Sequence, residues 1–193
     1  MKLVPSVSID EGVATVTFDS MPFWEGVEET SGVRIAPPFV LTAPIGSPIR
    51  QITSERIITE VVNGYQLNEY KYITPPPGAS ALANSLGERS VRAVERAIGK
   101  RCPKNILEIG GGSTWVACRL QERYKSKSYL LVDPSVRDSA EGIEVIRDYF
   151  PSSQVAGRLF DLILGFCVIE HVPDPLHFLC NIRKQLIGGG KVV

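Results

Sequence analysis

From Asn105 onward the chain alternates short apolar runs with amphipathic stretches, and the first apolar run opens into three consecutive glycines. This pattern excludes all-helical and all-β architectures for the C-terminal half. Asn105-Ile106-Leu107-Glu108-Ile109 reads as a buried strand, Gly110-Gly111-Gly112 as a tight turn, and Ser113 to Lys125 as a helix. Ser128 to Asp133, Ile143 to Ile146 and Phe160 to Gly165 read as further strands. Asp174 can cap a helix with Pro175 at its first position, and Leu176, Leu179, Ile182 and Leu186 are expected to line its inner face. Gly188-Gly189-Gly190 is expected to close that helix, with Lys191-Val192-Val193 beginning a fifth strand. Strands alternating with helices imply an α/β domain with a mainly parallel sheet covered on both faces. Between Asp133 and Ile143 there is too little chain for a full crossover helix.

A strand that runs through glycines into a helix suits close approach of backbone to a ligand, beside free N–H groups at the helix start. The ligand class follows from what surrounds the glycines. A dinucleotide fingerprint needs a third glycine where this chain has Trp115, whose indole would obstruct close strand–helix packing. A phosphate-binding P-loop needs Gly-Lys-Ser/Thr, which is absent. Glu108 stands two residues before Gly110. A carboxylate there repels a pyrophosphate and attracts a cationic sulfonium amino acid. Asp133 ends the next strand about 20 residues beyond Gly112, where a carboxylate can grip ribose hydroxyls.

The Glu108-Ile109-Gly110-Gly111-Gly112 segment resembles the first motif of class I S-adenosylmethionine-dependent methyltransferases. Phe166-Cys167-Val168-Ile169-Glu170-His171-Val172-Pro173-Asp174-Pro175 resembles a Glu-His…Asp-Pro segment of the same family, and Leu186 to Val193 resembles its lead into strand five. The nearest type is the small-molecule and sugar C-methyltransferases. The resemblance implies a Rossmann-like sheet of which this chain holds the first five strands. It implies S-adenosylmethionine as cofactor, Gly110, Gly111 and Gly112 against its methionine part, Glu108 near its ammonium, and Asp133 on its ribose. It places Asp148 near adenine, with Tyr149 or Phe150 stacking. Aromatic faces can stabilise a cationic sulfur, so Tyr70, Tyr72 and Phe166 are candidates beside ordinary packing. His171 is the candidate base, with Glu170 ordering the loop or facing substrate. Two departures stand out: Thr114 replaces a further glycine, and no cysteine precedes Cys102, so the zinc module of many sugar C-methyltransferases is expected to be absent or replaced. The family's sheet has two more strands, so the chain is expected to be C-terminally incomplete. The expected function is methyl transfer to a small-molecule acceptor. The alternative is a non-catalytic nucleotide-binding or interaction module on the same fold.

Residues 1–78 have another texture, a β-rich extension ending in a Pro-rich linker, and 79–193 form the expected cofactor-binding domain. Val7 to Ile9 and Val13 to Phe18 bracket Asp10-Glu11-Gly12 and read as a hairpin, Arg34 to Ala43 as strand, and Ile57 to Val62 as a short helix ended by Asn63-Gly64. A helix follows the linker over about Ala81 to Ile98, with Val91, Val94 and Ile98 on one face and Gly99 as its cap. Acidic and basic side chains number 21 each, which argues against a nucleic-acid or anionic-membrane partner. No apolar run has the length of a membrane span. Four scattered cysteines and two histidines six residues apart (His171 and His177) argue against disulfides and metal, and for a cytoplasmic protein. The N-terminal region and the open sheet edge are the candidate surfaces for a homo-oligomer.

Overall fold

The structure, a computed structural model, describes residues 6–18, 21–24, 33–36, 39–45, 51–52, 59, 77–172 and 174–193. The chain divides into two compact units, Met1–Ile73 and Thr74–Val193.

In the first unit, β1 (Ser6–Asp10) and β2 (Val13–Phe18) pair antiparallel. Glu11 and Gly12 join them with φ of +45° and +79°, the left-handed pair whose twist matches that of flanking strands. β3 (Met21–Trp24) pairs with β4 (Val33–Ala36), while β5 (Phe39–Pro44) pairs with β2 and with β6 (Gln51–Ile52). The expected strand region Arg34 to Ala43 is thus shared between β4 and β5. Apart from Thr59, the expected helix at Ile57 to Val62 lies outside the described residues, as does the stretch Tyr70 to Pro76.

The second unit begins with α1 (Ala81–Ile98). The Ser80 hydroxyl accepts from the Ala83 N–H at its start, and Gly99, at φ +61°, closes its end. Then come β7 (Asn105–Ile109), α2 (Trp115–Tyr124), β8 (Ser128–Val132), β9 (Glu144–Ile146), β10 (Phe160–Leu164), α3 (Pro175–Gln185) and β11 (Leu186–Val192). The sheet is parallel, in the order β9-β8-β7-β10-β11. The chain builds outward from β7 to β9, then returns to the other side of β7. That switch point, between β7 and β10, is where open α/β sheets leave a crevice beyond their carboxyl ends. Asp161 pins the opposite end, its Oδ2 accepting from the N–H groups of Lys104 and Asn105. The Asp133–Ile143 connection holds no helix, as its length implied.

Alternate strand residues feed two cores. Ile106, Tyr129, Leu131, Leu162 and Leu164 pack with Val91, Val94, Ile98, Val116, Ala117 and Leu120 of α1 and α2. Leu107, Ile109, Leu130, Val132 and Ile163 pack on the other face with Phe178 and Ile182 of α3. Here two expectations are corrected. Leu176 and Leu179 do not face inward: they are 72% and 45% exposed, and Phe178, Ile182 and Gln185 form the buried face of α3. The edge-to-face contact of Phe178 with Phe150, 5.4 Å between centroids, sets that rotation. The three glycines do not end α3 either. The helix stops at Gln185, β11 starts at Leu186, and the register jumps from Phe160↔Leu186 to Leu162↔Lys191. Residues 187–190 therefore bulge out of the ladder, with Gly189 at φ +76° and its carbonyl accepting from the Arg101 guanidinium at 2.9 Å. No helix among the described residues is long and apolar enough to cross a membrane.

Candidate cofactor site

The glycine loop leaves β7 at the crevice. Gly110 and Gly112 take φ of +71° and +66°, a region in which L side chains are strained. Space is limiting as well. A Cβ on Gly110 would sit 2.4 Å from Val168 Cγ2, and one on Gly111 would sit 2.8 Å from Leu131 Cδ1 and 2.9 Å from Glu108 Oε1. Thus β8, the turn after β10 and the loop's own strand close against the glycines from below and from the side.

Glu108 lies beneath this loop and is only 2% exposed. The Tyr129 hydroxyl, buried on neighbouring β8, donates to Glu108 Oε2 at 2.6 Å. Burial raises the Glu108 carboxyl to about 7, a rise opposed by the Tyr129 hydrogen bond and reinforced by the nearby Asp133 charge. Burial and the same carboxylate push the Tyr129 phenol well above its ordinary value, so it remains a donor at neutral pH.

Asp133 follows β8 and is 5% exposed. Its Oδ2 accepts from the Gly112 N–H at 2.8 Å. Its Oδ1 accepts from the Ser135 N–H and hydroxyl, both at 2.6 Å, and from the Val136 N–H at 3.2 Å. Four donors match the lone-pair capacity of a carboxylate. In this structure Asp133 accepts from three backbone N–H groups and one side-chain hydroxyl. A second carboxylate, Asp138, accepts from the Thr114 N–H at 2.9 Å and the Thr114 hydroxyl at 2.5 Å.

On the other side of the switch point, Phe166 packs against the α1–α2 core. The chain turns at Cys167, a non-glycine residue at φ +53°, and brings Val168 onto Gly110. Glu170 and His171 then occupy an exposed 3-10 turn, Ile169–His171, whose His171 N–H bonds the Val168 carbonyl at 2.9 Å. Asp148, beyond β9, accepts from the Tyr149 N–H at 2.8 Å. Hydrogen bonding and packing thus bring together Glu108, Gly110, Gly111, Gly112 and Asp133, with Val168 and its exposed turn closing one side. No described interaction joins Asp148 to this group. The residues that position the loop but were not singled out from sequence are Tyr129, Ser135, Asp138 and Val168. Tyr129 read only as part of a strand, and Asp138 falls in a connection to which the sequence assigns no element. Among the described residues no group of three or more His, Cys, Asp or Glu could hold a metal ion.

A parallel five-stranded sheet with an acidic glycine loop at its switch point defines a Rossmann-like α/β domain. A sequence model described as a methyltransferase domain matches residues 83–193, more than half of the chain. The chain belongs to that methyltransferase domain family, in agreement with its resemblance to the class I S-adenosylmethionine-dependent enzymes. No curated protein matches the sequence. Among solved structures, the plantazolicin methyltransferase BpumL in complex with a monoazolic desmethylPZN analog and SAH is similar at 13% identity and a TM-score of 0.46, covering 69% of this chain and 58% of that one. StiE O-MT residues 961–1257 is similar at 20% identity and a TM-score of 0.44, covering 60% of this chain and 47% of that one. The chain therefore spans about half the length of these structures.

Proposed function

We propose that the Thr74–Val193 unit binds S-adenosylmethionine at the carboxyl ends of β7, β8 and β10, and that the protein transfers its methyl group to a small-molecule acceptor. The observation that carries this is the glycine loop with carboxylates beneath and beside it. The residues present fit a cationic donor. Glu108, Asp133 and Asp138 surround the loop, and Gly110 to Thr114 contain no Lys or Arg to meet a pyrophosphate. When bound, the cofactor supplies a sulfonium methyl that passes to an acceptor lone pair or carbanion as the sulfur becomes a neutral thioether.

The chain's own contribution is positioning and proton management. Gly110 to Gly112 offer a surface without side chains to the methionine part. Glu108 acts from below the loop, where its ionised form favours an ammonium above. Asp133 holds Gly112 in place and shapes the ribose side. Asp148, with Tyr149, borders the adenine side, and Phe166 backs the crevice wall. His171, exposed on its turn, takes the proton that the acceptor releases, with Glu170 beside it directing the acceptor.

Calorimetry with S-adenosylhomocysteine on the folded protein tests the cofactor assignment, and binding in the micromolar range is expected. A dinucleotide that displaces it, or no binding at all, overturns the reading. The acceptor is then sought by tritiated methyl transfer to small-molecule pools. Once it is found, His171→Ala should lower kcat on the order of a hundredfold or more while leaving S-adenosylhomocysteine affinity within about twofold.

A further inference from the structure

We infer that Asp138 is a positioning residue that holds the glycine loop in its cofactor-binding shape, working from the helix-free segment between β8 and β9. The inference rests on the reading that this loop binds the methyl donor. Thr114 precedes α2, yet its side chain makes no capping bond to that helix. Its hydroxyl and its N–H both donate to Asp138 Oδ2 instead, from 24 residues away in sequence. A carboxylate thereby sits at the positive end of α2, where the helix dipole favours it.

Asp138 can do this because its own segment is anchored on both sides. Asp133 gathers Ser135 and Val136 by three hydrogen bonds, and the Val136 side chain is fully buried in the α1–α2 core. Arg147, just past β9, donates to the Val136 carbonyl at 3.0 Å and to the Asp138 carbonyl at 3.5 Å. The same segment grips the loop twice, at Gly112 through Asp133 and at Thr114 through Asp138. Partial burial pushes the Asp138 carboxyl up, but the two Thr114 hydrogen bonds and the Arg147 charge outweigh it and hold the group below its ordinary value, so it is ionised at neutral pH. Three successive glycines have large conformational freedom in the unbound chain. Fixing the helix-side end of the loop at two points before the ligand arrives removes part of that ordering cost from binding. A connection too short for the usual helix thus has a use of its own.

The test compares wild type, Asp138→Ala and Asp138→Asn as full chains by calorimetry with S-adenosylhomocysteine, and by amide hydrogen exchange at Gly110 to Thr114 without ligand. Asp138→Ala should weaken binding on the order of tenfold and speed exchange in the loop. Asp138→Asn keeps an oxygen for the Thr114 N–H and should recover a large part of both. Wild-type affinity in Asp138→Ala overturns the inference, and so does equal loss in both variants with loop exchange unchanged. If the folded wild type binds no S-adenosylhomocysteine, the cofactor reading fails. Exchange then decides the clamp: unchanged loop exchange in Asp138→Ala overturns it as well.

Discussion

At the level of single residues, the site is governed by what lies just under the glycines. Gly110 is constrained twice, by its φ of +71° and by Val168 at 2.4 Å from any added Cβ. Gly110→Ala should therefore destabilise the domain by about 2–4 kcal/mol, combining a left-handed penalty with overpacking. It should also impair cofactor binding, and a shorter side chain at position 168 should restore part of the lost stability. Equal urea midpoints for Gly110→Ala and wild type would refute this. Glu108 gives a second, pH-dependent prediction. The folded state holds the Glu108 proton up to about pH 7, whereas an exposed glutamate releases it near 4.5. The stability that this proton binding contributes is complete below 4.5 and lost as pH rises through 7. Wild-type stability should thus fall relative to Glu108→Gln across that window, by on the order of 3 kcal/mol, and run parallel to it above. Denaturant titrations of both proteins from pH 4.5 to 8 measure the difference, and parallel curves throughout would sink the assignment. Glu108 and Asp133 were legible in the sequence because each stands at a fixed offset from the glycines. Their partners were not. A hydrogen bond between Tyr129 and Glu108 depends on two strands in register, Glu108 opposite Leu131 and Ile106 opposite Tyr129, which no local pattern announces.

At the level of elements, strands were easier to read than helix faces. The apolar runs of β7, β8 and β10 stand out because both sides of a parallel sheet are buried. In α3 two apolar stripes compete, Leu176 with Leu179 and Phe178 with Ile182, and periodicity alone cannot choose between them. Phe150, distant in sequence, makes the choice by packing on Phe178. The β11 bulge was likewise hidden, since a glycine triplet after a helix looks like a cap until the pairing with β10 is known. Gly87 shows the same conflict between local and tertiary rules. Inside a helix, Gly→Ala ordinarily adds up to about 1 kcal/mol of stability. Here a Cβ would meet the Trp115 ring at 2.6 and 2.8 Å and Pro77 Cβ at 2.9 Å, so α1 and α2 approach through the missing side chain. Gly87→Ala should lower stability by about 1–3 kcal/mol despite the better propensity. Trp115→Leu in the same chain should relieve most of that loss. A Gly87→Ala protein that melts higher than wild type would show that the ring moves aside freely.

At the level of the whole molecule, the second unit builds two apolar clusters of its own. Among the described residues, both apolar clusters are built from positions 91–193. The glycine loop, its two carboxylate clamps and the Glu170–His171 turn also belong to this unit. The sequence changes texture near residue 78, from Pro- and Thr-rich extended segments to strand–helix alternation. It does not show what the first unit does, because paired antiparallel strands carry no chemical signature of their own. A chain covering Thr74–Val193 alone is therefore expected to fold cooperatively, with one sharp thermal transition followed equally by far-ultraviolet and tryptophan signals. Trp115 reports on the α1–α2 contact, so the tryptophan signal follows tertiary packing and not helix content alone. A broad transition, or signals that fail to coincide, would mean that this unit needs the first one to complete its core. If it folds and binds S-adenosylhomocysteine as tightly as the full chain, the cofactor site is contained in 74–193. If it folds but binds distinctly more weakly, the first unit contributes contacts to the ligand, and the aromatic residues Tyr70 and Tyr72 are the first to replace.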